Sequence, residues 1–266
     1  MNTPNEFHLI FGLRPDFGGK PFALIHYLTV VSCYYVNKPN RINFYYMHEP
    51  TGIWWERAKP YLTLIPIQPP KEIFGNPIFH HAHMADVLRL QILLEKGGIY
   101  IDMDVLCLRP FKHLQDFDMV LGEEFGVGLC NAVILAKPGA EFLQRWLAAY
   151  KSFSHDDWNS HSVRLPRQLA DEMPEHIHVV NHRKFFWPMY WREHLLEFFL
   201  RPGSSFSKES YCVHLWESIT WHFHLGQLTP DQIWELNSEF CLLARPYIKS
   251  EWLSPGFRAK LGRAAP

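Results

Sequence analysis

Cysteine is scarce in this chain of 266 residues, and its five copies show no Cys-x-x-Cys spacing. The sixteen histidines also lack partners at the spacings of structural zinc sites, so the sequence indicates neither structural zinc nor a disulfide framework. Four of the five cysteines lie in apolar stretches, where a free cysteine packs as a small hydrophobic side chain. We therefore expect free thiols and a reducing compartment.

Long apolar runs are missing as well. No stretch of 18 apolar residues occurs and the chain begins with polar residues, so we expect neither a signal peptide nor a membrane-spanning helix. The 26 Lys and Arg nearly balance 27 Asp and Glu, which argues against nucleic acid as a partner. Hydrophobic residues make up 47% of the chain and aromatic residues 15%, which excludes disorder.

The most informative stretch is residues 82–108. Its first part has apolar residues at helical spacing, and Gly97 and Gly98 then predict the end of that helix. Ile99–Leu108 is almost wholly apolar, as in a strand buried on both faces. Asp102 and Asp104 interrupt it, and in an extended chain residues two apart point to the same side.

Two neighbouring carboxylates in an apolar strand repel each other and lose solvation. A divalent cation removes both costs, and Mg²⁺ and Mn²⁺ prefer carboxylate oxygens. The alternative is a strand end in solvent with hydrated carboxylates.

Asp86 and Arg89 share one face of the preceding helix. That face either packs toward the strand, or the two residues form an ion pair on the protein surface.

The remaining chain alternates strands and helices, which predicts an α/β fold with a mostly parallel sheet. The predicted strands nearest the N-terminus are Phe7–Leu13, Ile42–Met47 and Leu62–Ile67, with a helix at Phe22–Tyr35. In such sheets ligands bind beyond the C-terminal ends of the strands, which places a nucleotide base near Phe11 and Gly12. A helix is predicted at Asp231–Leu243, among helical additions toward the C-terminus.

The assembled pattern Ala-Asp-x-x-Arg followed by Gly-Gly-Ile-Tyr-Ile-Asp-x-Asp resembles the glycosyltransferases with a DXD sugar-binding region. These include Golgi mannosyltransferases and, more distantly, the glucosylating domains of large toxins. Two further stretches resemble the family's signatures, namely Asn131-Ala132 with the following Pro138-Gly139, and His214-Leu215-Trp216. The resemblance is close over roughly residues 78–140 and loose elsewhere.

The resemblance implies a GT-A type nucleotide-binding fold and a single domain at 1–266. Residues 1–140 would bind the nucleotide sugar, and 141–266 would form the acceptor side and the C-terminal part. The implied reaction is transfer of a hexose, with retention of configuration, from a nucleoside-diphosphate donor to a glycan, lipid or other acceptor, and we expect the donor to be UDP-linked. Mn²⁺ or Mg²⁺ would bridge the donor diphosphate and neutralise the leaving group.

The resemblance also assigns roles to single residues. The metal ligands would be Asp102, Asp104 and His214. Asp102 would contact the metal through water or would bind the ribose and sugar hydroxyls. His214 has the alternative of a core histidine bonded to a backbone carbonyl. Asp86 would bind sugar hydroxyls, with Arg89 orienting Asp86 or Asp102. The remaining assignments are base contacts from the backbone at Phe11 and Gly12, a contact of Asn131 with sugar or acceptor, and cover of the donor by Trp216.

Two alternatives remain open from the sequence. Asp102-Met103-Asp104-Val105 also satisfies the motif of haloacid-dehalogenase-type phosphatases, although that motif normally opens the chain. A non-catalytic carbohydrate-binding scaffold is the second alternative.

Because no membrane anchor is recognised, we expect a cytoplasmic protein. The basic stretch Arg258–Arg263 indicates at most a peripheral contact with a membrane.

Overall fold

The computed structural model describes residues 2–263. The strands are β1 (Glu6–Ile10), β2 (Arg41–Tyr46), β3 (Thr63–Pro66), β4 (Glu72–Ile73), β5 (Asn76–Pro77), β6 (Gly98–Ile101), β7 (Val105–Cys107), β8 (Met119–Glu124), β9 (Gly128–Ala136), β10 (His178–Val180) and β11 (Cys212–His214). The α-helices are α1 (Leu24–Asn37), α2 (Ile53–Ala58), α3 (His81–Lys96), α4 (Glu141–Ala149), α5 (Leu165–Glu172), α6 (His182–Phe185), α7 (Arg192–Leu200), α8 (Glu217–Thr220), α9 (Pro230–Glu235), α10 (Glu239–Ala244) and α11 (Pro255–Arg263).

Seven strands form the central sheet, in the order β10-β8-β9-β6-β1-β2-β3. β1 runs parallel to both β2 and β6, and β9 is the antiparallel strand, pairing with β6 and β8. Alternate residues of β1 face opposite sides of the sheet, so Phe7 and Leu9 pack in one apolar core with α1 while Ile10 packs in another with α3. The predicted mostly parallel α/β fold is confirmed, with its helical additions toward the C-terminus.

Helix α3 ends at the glycines where its end is predicted. Gly97 and Gly98 have φ of +64° and +106°, a region that other residues rarely adopt. A Cβ on Gly97 would also lie 2.5 Å from Cδ of Pro138. The chain therefore reverses tightly from α3 into β6, which fixes the helix beside the strand that leads to Asp102.

The predicted single strand Ile99–Leu108 is wrong. The structure divides it into β6, in the central sheet, and β7, which forms a separate two-stranded sheet with β11. Asp102, Met103 and Asp104 form the turn between them, closed by the hydrogen bond from the Val105 N–H to the Asp102 carbonyl, at 3.2 Å. The two carboxylates therefore lie on a turn at the C-terminal end of β6 rather than on one face of an extended strand.

The other predicted elements also differ in their bounds, by one or two residues at an end for Ile42–Met47, Leu62–Ile67 and Phe22–Tyr35 and by more for two elements. The strand Phe7–Leu13 ends at Ile10 because Gly12 turns the chain with φ of +70°. The helix Asp231–Leu243 is two helices, α9 and α10. Ser238 interrupts it because its hydroxyl accepts a hydrogen bond from the Cys241 N–H and so starts α10.

Within residues 2–263, no helix is long and apolar enough to cross a membrane. All five cysteines are buried and unpaired, as their apolar surroundings predict.

A buried histidine should make the fold sensitive to acid. His8 on β1 is fully buried, and its Nε2 lies 2.9 Å from the Gly97 carbonyl oxygen. Burial lowers the pKa of His8 from 6.5 to about 4. His8 of the unfolded chain therefore binds a proton as the pH falls below 6.5. In the native protein the same ring stays unprotonated until the pH approaches about 4. This difference should remove about 3 kcal/mol of the free energy of unfolding between those values.

Denaturant unfolding at pH 7.5 and pH 4.5 measures this loss, with His8→Asn as the comparison. The variant's free energy of unfolding should depend less on pH than that of the wild type. An equal pH dependence in both proteins would contradict the prediction.

Candidate active site

A cleft of about 510 Å³ opens at the C-terminal ends of β1 and β6. Its walls are the loop at residues 11–20, the start of α3, the turn that carries Asp102 and Asp104, and residues 214–218. Parallel strands present their C-terminal ends at one edge of a sheet, where ligands of α/β proteins usually bind. The structure thus brings the two acids, His214 and the end of β1 to one cavity.

Asp102 is held by partners on three sides. Its N–H donates to the Ala132 carbonyl at 2.8 Å, and its Oδ1 accepts a hydrogen bond from the Tyr100 hydroxyl at 2.6 Å. Arg89 Nη1 lies 3.2 Å from the same oxygen. Burial, together with the charge of Asp104, raises the pKa of Asp102 in spite of Arg89. A cation bound in the cleft would relieve this excess of negative charge.

Behind Asp102 lies a buried network around Arg89. Its Nη2 is 3.4 Å from Asp86 Oδ1, its Nη1 donates to the Asn131 carbonyl at 2.9 Å, and its guanidinium lies over the Tyr100 ring. Asn131 Nδ2 donates to Asp86 Oδ1 at 2.7 Å. Asp86 and Arg89 are only 8% and 5% exposed, so the alternative of a surface ion pair is wrong. Arg89 instead fixes both Asp86 and Asp102.

His214 reaches Asp104 because β11 pairs antiparallel with β7. That register sets His214 opposite Val105, and His214 Nε2 lies 3.2 Å from Asp104 Oδ1. The Glu217 N–H donates to Asp104 Oδ2 at 2.7 Å. Burial opposes ionisation of Asp104, but the charge of His214 and these hydrogen bonds outweigh it and lower the pKa to about 2. Burial likewise opposes protonation of His214, and Asp104 still raises the pKa of its imidazole.

These side chains fit a divalent cation. Asp102, Asp104 and His214 each offer a ligand atom, and these atoms lie within 4.8 Å of one another. Two carboxylates and an imidazole suit Mn²⁺ better than Mg²⁺, which is less often bound by histidine. The buried Nδ1 of His214 has no hydrogen-bond partner among the described residues, which leaves the ring free of the backbone carbonyl bond considered above.

The structure places the predicted nucleotide end of the site in the same cleft. Phe11 and Gly12 line it directly after β1. A Cβ at residue 12 would lie 2.2 Å from the His48 carbonyl oxygen, so only glycine lets the chain pass here. Phe11 stacks on Phe17 with ring centroids 5.6 Å apart, which gives this end an apolar aromatic wall.

Four of the predicted residues lie outside the cleft lining, namely Asp86 and Arg89 in the buried network behind Asp102, and Asn131 and Trp216. Asn131 contacts Asp86 from behind. Trp216 was expected on the strand face of His214, but β11 ends at His214 and Trp216 adopts φ of +54°. Its indole N–H donates to the Pro188 carbonyl at 2.9 Å, and its ring stands edge-on to His214 at 4.3 Å. The premise of a shared strand face is wrong, and Trp216 packs behind His214.

Sequence analysis missed Tyr100, Glu217 and Lys20 in this site. Tyr100 precedes Asp102 by two residues, and this spacing was a signal for their contact. Glu217 and Lys20 reach the cleft only through tertiary pairing, for which the sequence carries no local signal.

Comparison with known proteins identifies the family. Residues 24–124 match the family described as glycosyltransferase sugar-binding region containing DXD motif. The chain is also 38% identical over 262 residues to Glucan organizing enzyme 1 of Cryptococcus neoformans var. grubii, which covers 93% of this chain and 71% of that protein. The chain belongs to the DXD glycosyltransferases. That the protein is an enzyme of this family, as the resemblance implies, is confirmed.

Other matches of this glycosyltransferase are shorter or looser. Subversion of eukaryotic traffic protein A of Legionella pneumophila is 35% identical over 71 residues, which are 25% of this chain and 11% of that protein. The solved galactosyltransferase LgtC matches with a TM-score of 0.43 and 11% identity over 96% of this chain and 99% of its own. Glycosyltransferase GlyE of Streptococcus pneumoniae matches with a TM-score of 0.49 and 11% identity, over 98% and 64%.

Proposed function

We propose that this glycosyltransferase transfers a hexose from a nucleoside-diphosphate sugar, UDP-linked in the first instance, to a glycan or glycolipid acceptor with retention of configuration. The observation that carries the proposal is the meeting of Asp102, Asp104 and His214 in the cleft at the ends of β1 and β6. Mn²⁺, or Mg²⁺, bound there would act as a Lewis acid on the donor diphosphate. The name of its fungal relative supports a glucan-related acceptor.

The protein's own groups then have distinct tasks. Asp104 is ionised and aimed by His214 and the Glu217 N–H, and Asp102 is aimed by Arg89 and Tyr100. Such preorganised charges cost no reorganisation during the reaction. Asp86 Oδ1 is taken by Asn131, whereas its Oδ2 has one long contact, 3.5 Å from His83 Nδ1. That oxygen is the one we assign to a sugar hydroxyl.

The halves of the chain would divide the substrates. Residues 1–140 contain the base end, the acids and Arg89, and we assign them to the donor. Residues 141–266 contribute His214 and would form the acceptor side. We further propose a cytoplasmic location with at most peripheral membrane contact through α11, where Arg258 and Lys260 are exposed.

Both alternatives are weaker than transfer. A dehalogenase-type phosphatase uses the first acid as a nucleophile, whereas Asp102 here is bound by Arg89 and Tyr100 within a glycosyltransferase family. A non-catalytic scaffold would have no need of an ionised Asp104 beside Asp102. The complete set of acids favours the enzyme.

A thermal-shift screen of nucleotide sugars with Mn²⁺ tests the proposed function. A ligand that binds only the folded protein raises its melting temperature by mass action. We expect a UDP- or GDP-hexose to raise it with Mn²⁺ and much less with EDTA. No shift with any nucleotide sugar, together with turnover of p-nitrophenyl phosphate, would contradict the proposal in favour of the phosphatase.

Removal of the imidazole should weaken the metal site. His214→Ala should raise the Mn²⁺ concentration needed for half-maximal activity, and excess Mn²⁺ should restore part of the rate. Titration of activity with Mn²⁺ measures this, with the exposed His222→Ala as the matched control. A lower rate at unchanged metal dependence would make His214 a structural residue.

Replacement of Asp86 should alter the choice of sugar. Asp86→Asn keeps the size of the side chain but replaces one of its two acceptor oxygens with a donor. We expect weaker discrimination among donor sugars with little change in affinity for the free nucleotide, measured by competition among nucleotide sugars. Unchanged sugar preference with lost nucleotide affinity would move Asp86 to the nucleotide half of the site.

A further inference from the structure

The cleft that would receive a diphosphate is lined by three carboxylates and few fixed cations. Asp102, Asp104 and Glu217 all line it, and Arg89 lies behind Asp102 with its nitrogens engaged by protein partners. The Arg and Lys side chains in the described lining are Arg14 and Lys20. Arg14 is half exposed and pairs with Asp16 at 2.9 Å. A diphosphate entering this cleft therefore needs a further positive group.

The position of Lys20 suits it to supply this positive charge. It follows the loop that begins at the end of β1, and its Nζ lies 3.5 Å from Glu217 Oε2. The N–H of the same Glu217 donates to Asp104 Oδ2, so one residue separates Lys20 from the predicted metal ligand. Phe17, three residues before Lys20, stacks on Phe11 at the start of the loop. Lys20 thus lies between the predicted base end and the metal end, where a nucleotide's phosphates belong.

The contact of Lys20 with Glu217 is exchangeable. It is long for a charge-assisted hydrogen bond, and the two side chains are 25% and 20% exposed. Ion pairs that keep contact with water contribute little stability. Breaking the contact with Glu217 therefore costs little free energy when an anion with two or more charges binds Lys20 instead.

Glu217 does not depend on Lys20 for its own position. The Ala23 N–H donates to His26 Nδ1 at 2.9 Å, so the proton of the neutral ring is on Nε2. That Nε2–H donates to Glu217 Oε1 at 2.8 Å, and His26 is fully buried. The carboxylate therefore stays in place when the lysine leaves it.

We propose that Lys20 binds the diphosphate of the nucleotide donor, and that Glu217 holds its ammonium group in the cleft until the nucleotide arrives. The inference rests on the proposed function, because that function supplies the diphosphate. The primary ammonium of lysine binds phosphate as a point charge, which suits a mobile group between two phosphate oxygens.

The test compares affinities for UDP, UMP and uridine, and for the guanosine series, by calorimetry with Mn²⁺. Lys20→Met should lower affinity for the nucleoside diphosphate at least about tenfold, lower that for the monophosphate less, and leave the nucleoside unchanged. Lys20→Arg should recover part of the loss. Lys137→Met is the matched control, because Lys137 pairs with Asp118 at 2.6 Å next to the end of β9, away from the cleft.

Each outcome decides the question. Equal diphosphate affinity in the wild type and Lys20→Met overturns the inference while leaving the proposed function intact. An equal loss for uridine and UDP, or a fall in melting temperature that accounts for the loss, makes Lys20 structural and also overturns it. Glu217→Gln should bind UDP at least as tightly as the wild type; a tenfold loss there would show that the pair acts as one structural unit. A wild type that binds none of these ligands contradicts the proposed function itself.

Discussion

Replacement of Asp104 by Asn is expected to lower sugar transfer about 100- to 1,000-fold while the protein stays folded. Asn keeps the shape of the side chain and can still accept the Glu217 N–H. It removes the negative charge that His214 stabilises and that a cation would need. The rate falls because charge on the leaving diphosphate would no longer be neutralised.

Initial rates with the donor found by thermal shift measure the loss, and circular dichroism confirms the fold. Asp118→Asn is the control, since Asp118 is an exposed acid paired with Lys137. Asp102→Ala should behave like Asp104→Asn. Retention of near-wild-type transfer after EDTA treatment in either variant would refute a metal-dependent mechanism.

Replacement of Arg89 by Met is expected to cost about 3–5 kcal/mol of the free energy of unfolding. Methionine fills similar space but leaves Asp86 without its cation in a buried site and removes one partner of Asp102. The Asn131 carbonyl also loses its donor. For a protein of this size the loss corresponds to a fall of roughly 10 °C in melting temperature.

A double variant separates lost packing from lost charge. Asp86→Asn in the Arg89→Met background removes the unpaired carboxylate, so it should recover part of the lost stability, which a double-mutant cycle measures. A destabilisation below about 1 kcal/mol in Arg89→Met would mean that the network contributes less than its burial indicates.

The elements that sequence analysis predicts well are those specified by neighbouring residues. Helix α3 ends at Gly97 because glycine takes a positive φ there, and β6 is apolar because both faces are covered. The shared face of Asp86 and Arg89 follows from their spacing on α3, whereas Asp102 and Asp104 lie on the turn just beyond β6. In the structure Arg89 lies 3.4 Å from Asp86 and 3.2 Å from Asp102, whereas Asp104 pairs with His214.

Features that depend on distant pairing escape sequence analysis. The apolar run continues past Asp104 into Val105, so nothing local marks the turn, and only the pairing of β7 with β11 explains it. The prediction for Trp216 is wrong because a two-residue spacing implies a shared face only while the strand continues, and β11 ends at His214. Lys20 and Glu217 meet across 197 residues of sequence.

The pairing of β7 with β11 also sets an order of events during synthesis. A nascent chain that has not reached residue 212 contains Asp102 and Asp104 but neither the imidazole nor the Glu217 N–H that compensate Asp104. Contacts between residues so far apart in sequence form late and slowly in folding. Partly made or prematurely ended chains should therefore hold a nucleotide poorly and transfer nothing, and the enzyme should become active only when its late-made segment docks.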